Sequence, residues 1–152
     1  MNWEKSFLYF MNHIRGQTLS ILFETITATA ETGLILIIIS ITYWCINKKL
    51  GQKLGFIMLF SLTYNGLIKN LVKAPRPFEL GIIEPLRKHT ATGYSFPSGH
   101  TQSATTFWVV LMNNIKKRWL YFVGTVMIIL VALSRLYLGV HWPQDVIVAV
   151  FV

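Results

Sequence analysis

The stretch YSFPSGHTQSATT, residues 94–106, decides how the rest of the chain is read. Pro97, Ser98 and Gly99 break the backbone, His100 follows, and an apolar run begins, which is the pattern of a turn opening a helix. A helix start leaves backbone N–H groups without partners and carries the positive end of the helix dipole. It is therefore a seat for anions, above all for phosphate. Ser98 or Thr101 can cap it, and Gly99 lets the backbone approach a ligand closely. His100 in the first turn stands where an imidazole can hand a proton to a departing oxygen. The same residues also fit an ordinary serine-capped helix with a histidine at a membrane surface.

Composition makes that helix a membrane helix. The chain has 152 residues, enough for one domain, and 53% are hydrophobic, 14% aromatic and only 13% charged. An ordinary soluble domain carries about 25% charged residues. A mean hydropathy of +0.51 points the same way. The net charge of +8 is gathered in short clusters beside apolar runs, which suits membrane topology and argues against a nucleic-acid partner. Cys45 is the only cysteine, so neither an internal disulfide nor a thiolate metal cluster can form. The first residues, MNWEKSF, do not read as a cleaved signal peptide.

Outward from the central stretch, the chain divides into helices. Trp3, Phe7, Phe10, Met11 and Ile14 recur at helical spacing, Gly16 interrupts, and Leu19, Leu22, Phe23 and Ile26 resume it. Residues 1–28 thus predict two amphipathic helices, lying in the membrane interface or packed on the bundle. Spanning segments are expected at 26–46, 54–72, 99–113 and 119–138. Residues 74–97 hold four prolines and form a polar loop. Trp142 and Pro143 start a fifth helix, with proline at a favoured position. A little over ten residues remain there, roughly half a bilayer crossing at ~1.5 Å each. The expected fold is an all-α transmembrane bundle of about five spans, the last incomplete. Residues 1–152 are expected to be a single membrane domain lacking its C-terminal end. Lys48, Lys49 and Lys53 share one side with Lys116, Lys117 and Arg118, and the positive-inside rule places that side in the cytoplasm.

This topology brings Lys69, Arg76, His100, Arg135, His141 and Asp145 to one level at the outer face of the membrane. Three cations gathered there cost free energy unless an anion sits among them. A tetrahedral phosphate matches two guanidinium forks, an ammonium and helix-start amides. Asp145, the only aspartate, lies four residues after His141, so one carboxylate oxygen can fix the imidazole tautomer and free the other nitrogen to attack. Histidine is a competent nucleophile. His100 then supplies acid to the leaving group and base to water. These are the parts of a metal-free phosphate-ester hydrolase.

Each part also has a plainer reading. Lys69 can snorkel from a helix end, Arg76 can meet lipid headgroups, and His141 with Asp145 can be an interfacial capping pair. Two histidines and an aspartate are also zinc donors, though the neighbouring cations would repel a divalent metal. His13 and His89 have no partners at useful spacing.

Lys69-x6-Arg76-Pro77, Pro97-Ser98-Gly99-His100 and Ser134-Arg135-x5-His141-x3-Asp145 together resemble the three-part signature of the type 2 phosphatidic acid phosphatase (PAP2) superfamily. All three parts stand in order with the right internal spacing. The resemblance implies a helical membrane bundle in the cytoplasmic membrane with its site facing outward. It implies hydrolysis of a lipid phosphate or diphosphate through a phosphohistidine, without a metal or other cofactor. It gives His141 the part of nucleophile, Asp145 that of its orienting partner and His100 that of proton donor. Lys69, Arg76 and Arg135 would hold the phosphate, with Ser98 and Gly99 adding donors. The substrates to expect are phosphatidylglycerophosphate, phosphatidic acid or undecaprenyl diphosphate. A non-catalytic anionic-lipid binder or truncated pseudoenzyme and a vanadate-dependent haloperoxidase are the alternatives, and the long apolar spans argue against the haloperoxidase. Nothing in the sequence specifies an oligomeric state.

Overall fold

The computed structural model describes residues 2–152, and among them every regular element is a helix. The order is α1 (Asn2–His13), α2 (Gln17–Ala28), α3 (Thr32–Ile41), α4 (Lys48–Val72), α5 (Gly99–Ile115), α6 (Arg118–Tyr137) and α7 (Pro143–Phe151). A π-helical turn, Thr42–Ile46, extends α3, and a single 3-10 turn, Lys88–Thr90, interrupts the long loop before α5.

Helix ends follow local chemistry. The Asn47 side chain accepts the Leu50 N–H at 3.0 Å and opens α4. Lys73 ends α4 in the left-handed region, φ 51°, and its N–H returns to the Lys69 carbonyl. The prolines at 75 and 77 then forbid further helix. Lys116 closes α5 in the same way. Pro143 stands in the first turn of α7, and the Asp145 carboxylate caps that helix by accepting the Trp142 N–H at 2.9 Å.

Helix α5 is the centre, packed against α4 and α6 and touching α3 and α7. The main apolar core joins Ile35 and Ile39 of α3, Leu54 and Met58 of α4, and Phe107 and Val110 of α5. Many large apolar side chains face outward instead. Leu71 is 82% exposed, Phe56 76% and Phe122 73%, which fits helices whose outer surface meets lipid rather than water.

The expected span at 26–46 is broken. The helix stops at Ala28, turns through Thr29–Glu31 and resumes at Thr32, so that α2 and α3 with its π turn are bent by 49°. Hydrogen bonds from Ala30 and Glu31 N–H to Thr27 and Ala28 tighten the chain there. By length and composition α6 alone is apolar and long enough to cross a membrane among the described residues, with the bent pair as a second if it is one span. Helix α4 has the length, 25 residues, but lysines dilute both of its ends.

Both N-terminal helices dock on the bundle. Leu8 of α1 is buried against Ile83 and Trp142, and α2 packs along α6. Arg15, between them, donates through Nε (3.1 Å) and Nη2 (2.9 Å) to the Tyr137 carbonyl and through Nη1 (2.7 Å) to the Glu84 carbonyl. Burial lowers its pKa, opposed by Tyr137 and Glu84.

Candidate active site

Three segments converge at the end of the bundle where α4 stops and α5 and α7 begin. Five of the expected residues, Lys69, Arg76, Gly99, His100 and His141, line one cavity of about 380 Å³. Asp145, Ser98 and Arg135 are fully buried beside it.

His141 Nδ1 lies 3.3 Å from Asp145 Oδ2. That oxygen also accepts hydrogen bonds from Ser95 Oγ and the Trp142 N–H. With three donors aimed at it, this oxygen orients the imidazole and selects the tautomer with hydrogen on Nδ1. The opposite nitrogen, Nε2, stands 3.3 Å from Arg76 Nη1. Burial first, then the charges of Arg76, Arg135 and Lys69, hold the imidazole well below its ordinary pKa of 6.5. A neutral ring with a lone pair on Nε2 is the form a nucleophile needs.

Arg76 is 2% exposed. Besides His141 it donates to the Gly93 carbonyl (3.0 Å), Val140 (2.7 Å), Thr92 (2.9 Å) and Tyr94 (3.3 Å). Burial lowers its pKa, while Glu79 and Asp145 oppose the shift. Lys69 Nζ donates to the Tyr94 carbonyl and reaches Ser95 O at 3.5 Å. Arg135 donates from Nη1 to Thr27 Oγ1 at 3.0 Å, yet its buried Nε and Nη2 have no partner among the described residues. His100 Nε2 is likewise buried without one. A buried charged donor left unpaired is costly, so these are the groups an anion would satisfy.

Ser98 departs from its expected use. Its N–H donates to the Asp145 carbonyl at 3.0 Å and its hydroxyl pairs with Thr101 Oγ1 at 3.0 Å. It joins the start of α5 to α7 and so holds His100 and His141 in one frame.

Sequence reasoning missed several contributors. Ser95 orients the carboxylate from the loop. Asn65, which also lines the cavity, donates to Gln102 Oε1 at 2.6 Å, and Gln102 donates to Ser61 at 3.0 Å. Thr27 brings the end of α2 to Arg135, and Ala30 and Thr32 form part of the cavity wall. The signal available was the recurrence of polar residues four apart on one face of α4, Ser61, Asn65 and Lys69.

Comparison with known proteins identifies the class. The PAP2 superfamily profile matches residues 51–152, and the chain belongs to that superfamily. It is 34% identical over 101 residues to an undecaprenyl-diphosphatase of Sulfolobus acidocaldarius, covering 66% of this chain and 48% of that protein. It is 40% identical over 93 residues to phosphatidylglycerophosphatase B of Escherichia coli, covering 55% of this chain and 35% of that one. The chain thus spans about a third to a half of the length of these curated relatives. Its fold matches the crystal structure of a transmembrane PAP2-type phosphatidylglycerolphosphate phosphatase from Bacillus subtilis with a TM-score of 0.82, at 23% identity over 98% of this chain and 78% of that one. The fold is therefore that of a membrane-embedded PAP2 protein.

Proposed function

We propose that this protein is a membrane lipid phosphatase that works through a phosphohistidine and needs no metal. The observation that carries the reading is the shared cavity: His141, fixed by Asp145 at 3.3 Å, opens onto the same space as His100, Lys69 and Arg76. The names of the relatives, all phosphatases or diphosphatases of lipids, support it.

In this reading Lys69, Arg76, Arg135 and the first N–H groups of α5 at Gly99 hold the phosphate oxygens. His141 Nε2 attacks phosphorus, the phosphorus–oxygen bond to the lipid breaks, and His100 protonates the departing oxygen. Phosphate charge in the cavity favours the protonated His100 that this step requires. Water then attacks the phosphohistidine, its proton returns to His100, and phosphate leaves with the phosphorus–nitrogen bond broken. Cations concentrated at the cavity repel a divalent ion, so none is assigned a part.

The site faces the extracytoplasmic side of the cytoplasmic membrane. Lys53 donates to Asn114 at 3.2 Å, joining the start of α4 to the end of α5 at the pole opposite the cavity. That pole also carries Lys48, Lys49, Lys116, Lys117 and Arg118. Residues 1–152 act as one PAP2 unit. In α1, Trp3, Tyr9 and Phe10 are exposed, a face suited to the headgroup region.

Phosphate release from a panel of phosphatidic acid, phosphatidylglycerophosphate and undecaprenyl diphosphate in detergent tests the reading. Release is expected with at least one of them, unchanged by chelators and blocked by vanadate. Binding of these lipids without phosphate release would identify a non-catalytic lipid binder instead.

A further inference from the structure

Asn65, one turn before Lys69 on α4, is 6% exposed and lines the same cavity as Lys69, Arg76, His100 and His141. Its amide is held in one sense. Nδ2 donates to Gln102 Oε1 at 2.6 Å and to the Pro97 carbonyl at 3.4 Å. Gln102 in turn donates from Nε2 to the Ser61 carbonyl and to Ser61 Oγ, both at 3.0 Å. A backbone carbonyl only accepts. The Ser61 carbonyl therefore fixes which end of the Gln102 amide faces it. Gln102 Oε1 and the Pro97 carbonyl then fix which end of Asn65 faces them. Turning either amide over would set oxygen against oxygen inside a buried network.

The free end of Asn65 is thus an oxygen and not an N–H. Among the described residues no hydrogen bond reaches Oδ1. It stands beside the start of α5, where a Cβ on Gly99 would lie 3.5 Å from it. Gly99 adjoins His100, and both line the cavity. The loop carbonyls of Thr92, Gly93 and Tyr94 are engaged by Arg76 and Lys69, whereas Asn65 Oδ1 is open. It is an acceptor in a cavity otherwise built to attract anions. Toward a bare phosphate oxygen it is repulsive, since both carry lone pairs. Its guest is a molecule with a hydrogen to give.

The proposed chemistry has one such guest. Water attacking the phosphohistidine carries two hydrogens, and His100 takes only one of them. That water enters on the side the leaving oxygen vacated, where His100 stands, and Gly99 brings Oδ1 to the same side. We infer that Asn65 Oδ1 accepts a hydrogen bond from the water that cleaves the phosphohistidine, and so turns a lone pair of that water toward phosphorus. This rests on the phosphatase reading above. The water oxygen bonds to phosphorus, and the bond from phosphorus to His141 Nε2 breaks with its electron pair returning to nitrogen. One proton goes to His100. The other hydrogen stays on its oxygen, bonded to Asn65, and leaves with the orthophosphate. Gln102 touches no reactant and is a positioning residue, acting by fixing the sense of the Asn65 amide. The first step, in which His141 attacks the lipid ester and no water takes part, makes no use of Oδ1.

The second step can be watched alone. Inorganic phosphate entering the cavity can rephosphorylate His141 with loss of water, and attack by a new water exchanges a phosphate oxygen with solvent. The full chain in detergent is given inorganic phosphate in water enriched in the heavy oxygen isotope, and exchange is followed by mass spectrometry. On the lipid panel above, kcat/KM reports the first step. Asn65→Ala is expected to slow exchange roughly tenfold to hundredfold and to leave kcat/KM for the lipid cleaved fastest within about threefold. Gln102→Leu should slow exchange in the same direction by less. Equal loss on both readings would show a merely structural clamp between α4 and α5 and overturn the inference. So would unchanged exchange in Asn65→Ala, or a wild type that cleaves lipid without exchanging phosphate oxygen. If Asn65→Ala does not fold, Gln102→Leu decides on the same two readings. A wild type that neither exchanges oxygen nor cleaves any lipid of the panel overturns the phosphatase reading itself, a different result from loss of the water step.

Discussion

His141 Nδ1 and Asp145 Oδ2 stand 3.3 Å apart across one turn of chain, and the same oxygen is held by Ser95 Oγ and the Trp142 N–H. The carboxylate is thus a capping group for α7 and the tautomer-setting partner of the imidazole at once. Helix start and proposed nucleophile are locked to each other.

Changing either half of that pair tests the proposed chemistry. His141→Ala is expected to abolish phosphate release while lipid binding persists. Asp145→Asn is expected to lower kcat on the order of 10³-fold, because the amide can present the wrong group to Nδ1. Ser95→Ala leaves the Trp142 N–H in place and should cost about tenfold or less. Steady-state phosphate release with the three variants checks the ranking, and full activity in His141→Ala would remove the mechanism.

Arg76 is held by four carbonyls and a ring nitrogen. Lysine keeps the charge but cannot reproduce a planar fork with five donors. Arg76→Lys is therefore expected to lose both activity, by about a hundredfold, and stability, by roughly 1–3 kcal/mol. Thermal unfolding in detergent and kcat/KM on one lipid phosphate measure the two losses.

Stability should depend on pH through His141. Its folded-state pKa lies well below the ordinary 6.5 because of burial and the nearby Arg76, Arg135 and Lys69. Between the folded and the ordinary value the unfolded chain binds the proton and the folded one does not, so stability falls as pH drops below about 6.5. Melting temperature is expected to rise with pH across this window. The slope should be shallower in His141→Gln, and an unchanged slope would show that another group is responsible.

A fourth expectation concerns the turn from the π-helical segment into α4. A Cβ on Gly51 would lie 2.5 Å from Tyr43 Cα and 2.6 Å from its N. Those are backbone atoms that cannot swing away. Gly51→Ala is expected to destabilise by about 1–3 kcal/mol or more. Gly66→Ala, in the same helix with nothing within 4 Å, is expected to change melting little.

What the sequence disclosed follows from where each interaction is encoded. Lys69, Arg76, Gly99, His100, His141 and Asp145 stand at fixed spacings on helix ends, so local pattern already gathers them, and the cavity contains or adjoins them all. The break at Thr29–Glu31 was not visible, because no proline marks it and alanine, threonine and glutamate are all compatible with a continuing helix. Nor was the docking of α1 decided in advance, since it depends on Ile83 and Trp142, distant in sequence from Leu8. Ser95 and Thr27 are ordinary polar residues whose partners lie 50 and 108 positions away. Only three-dimensional proximity makes them part of the site.

The five acceptors around Arg76 also bear on how a catalytic cycle closes. Each oxygen of a bound phosphate that takes a guanidinium proton must win it from a loop carbonyl, so the gain is a difference between two good hydrogen bonds. At Arg76, in the proposed cycle, the backbone carbonyls thus compete with liberated orthophosphate. Arg76→Ala should therefore change product inhibition by inorganic phosphate less than Arg135→Ala, whose unpartnered donors have no carbonyl to return to.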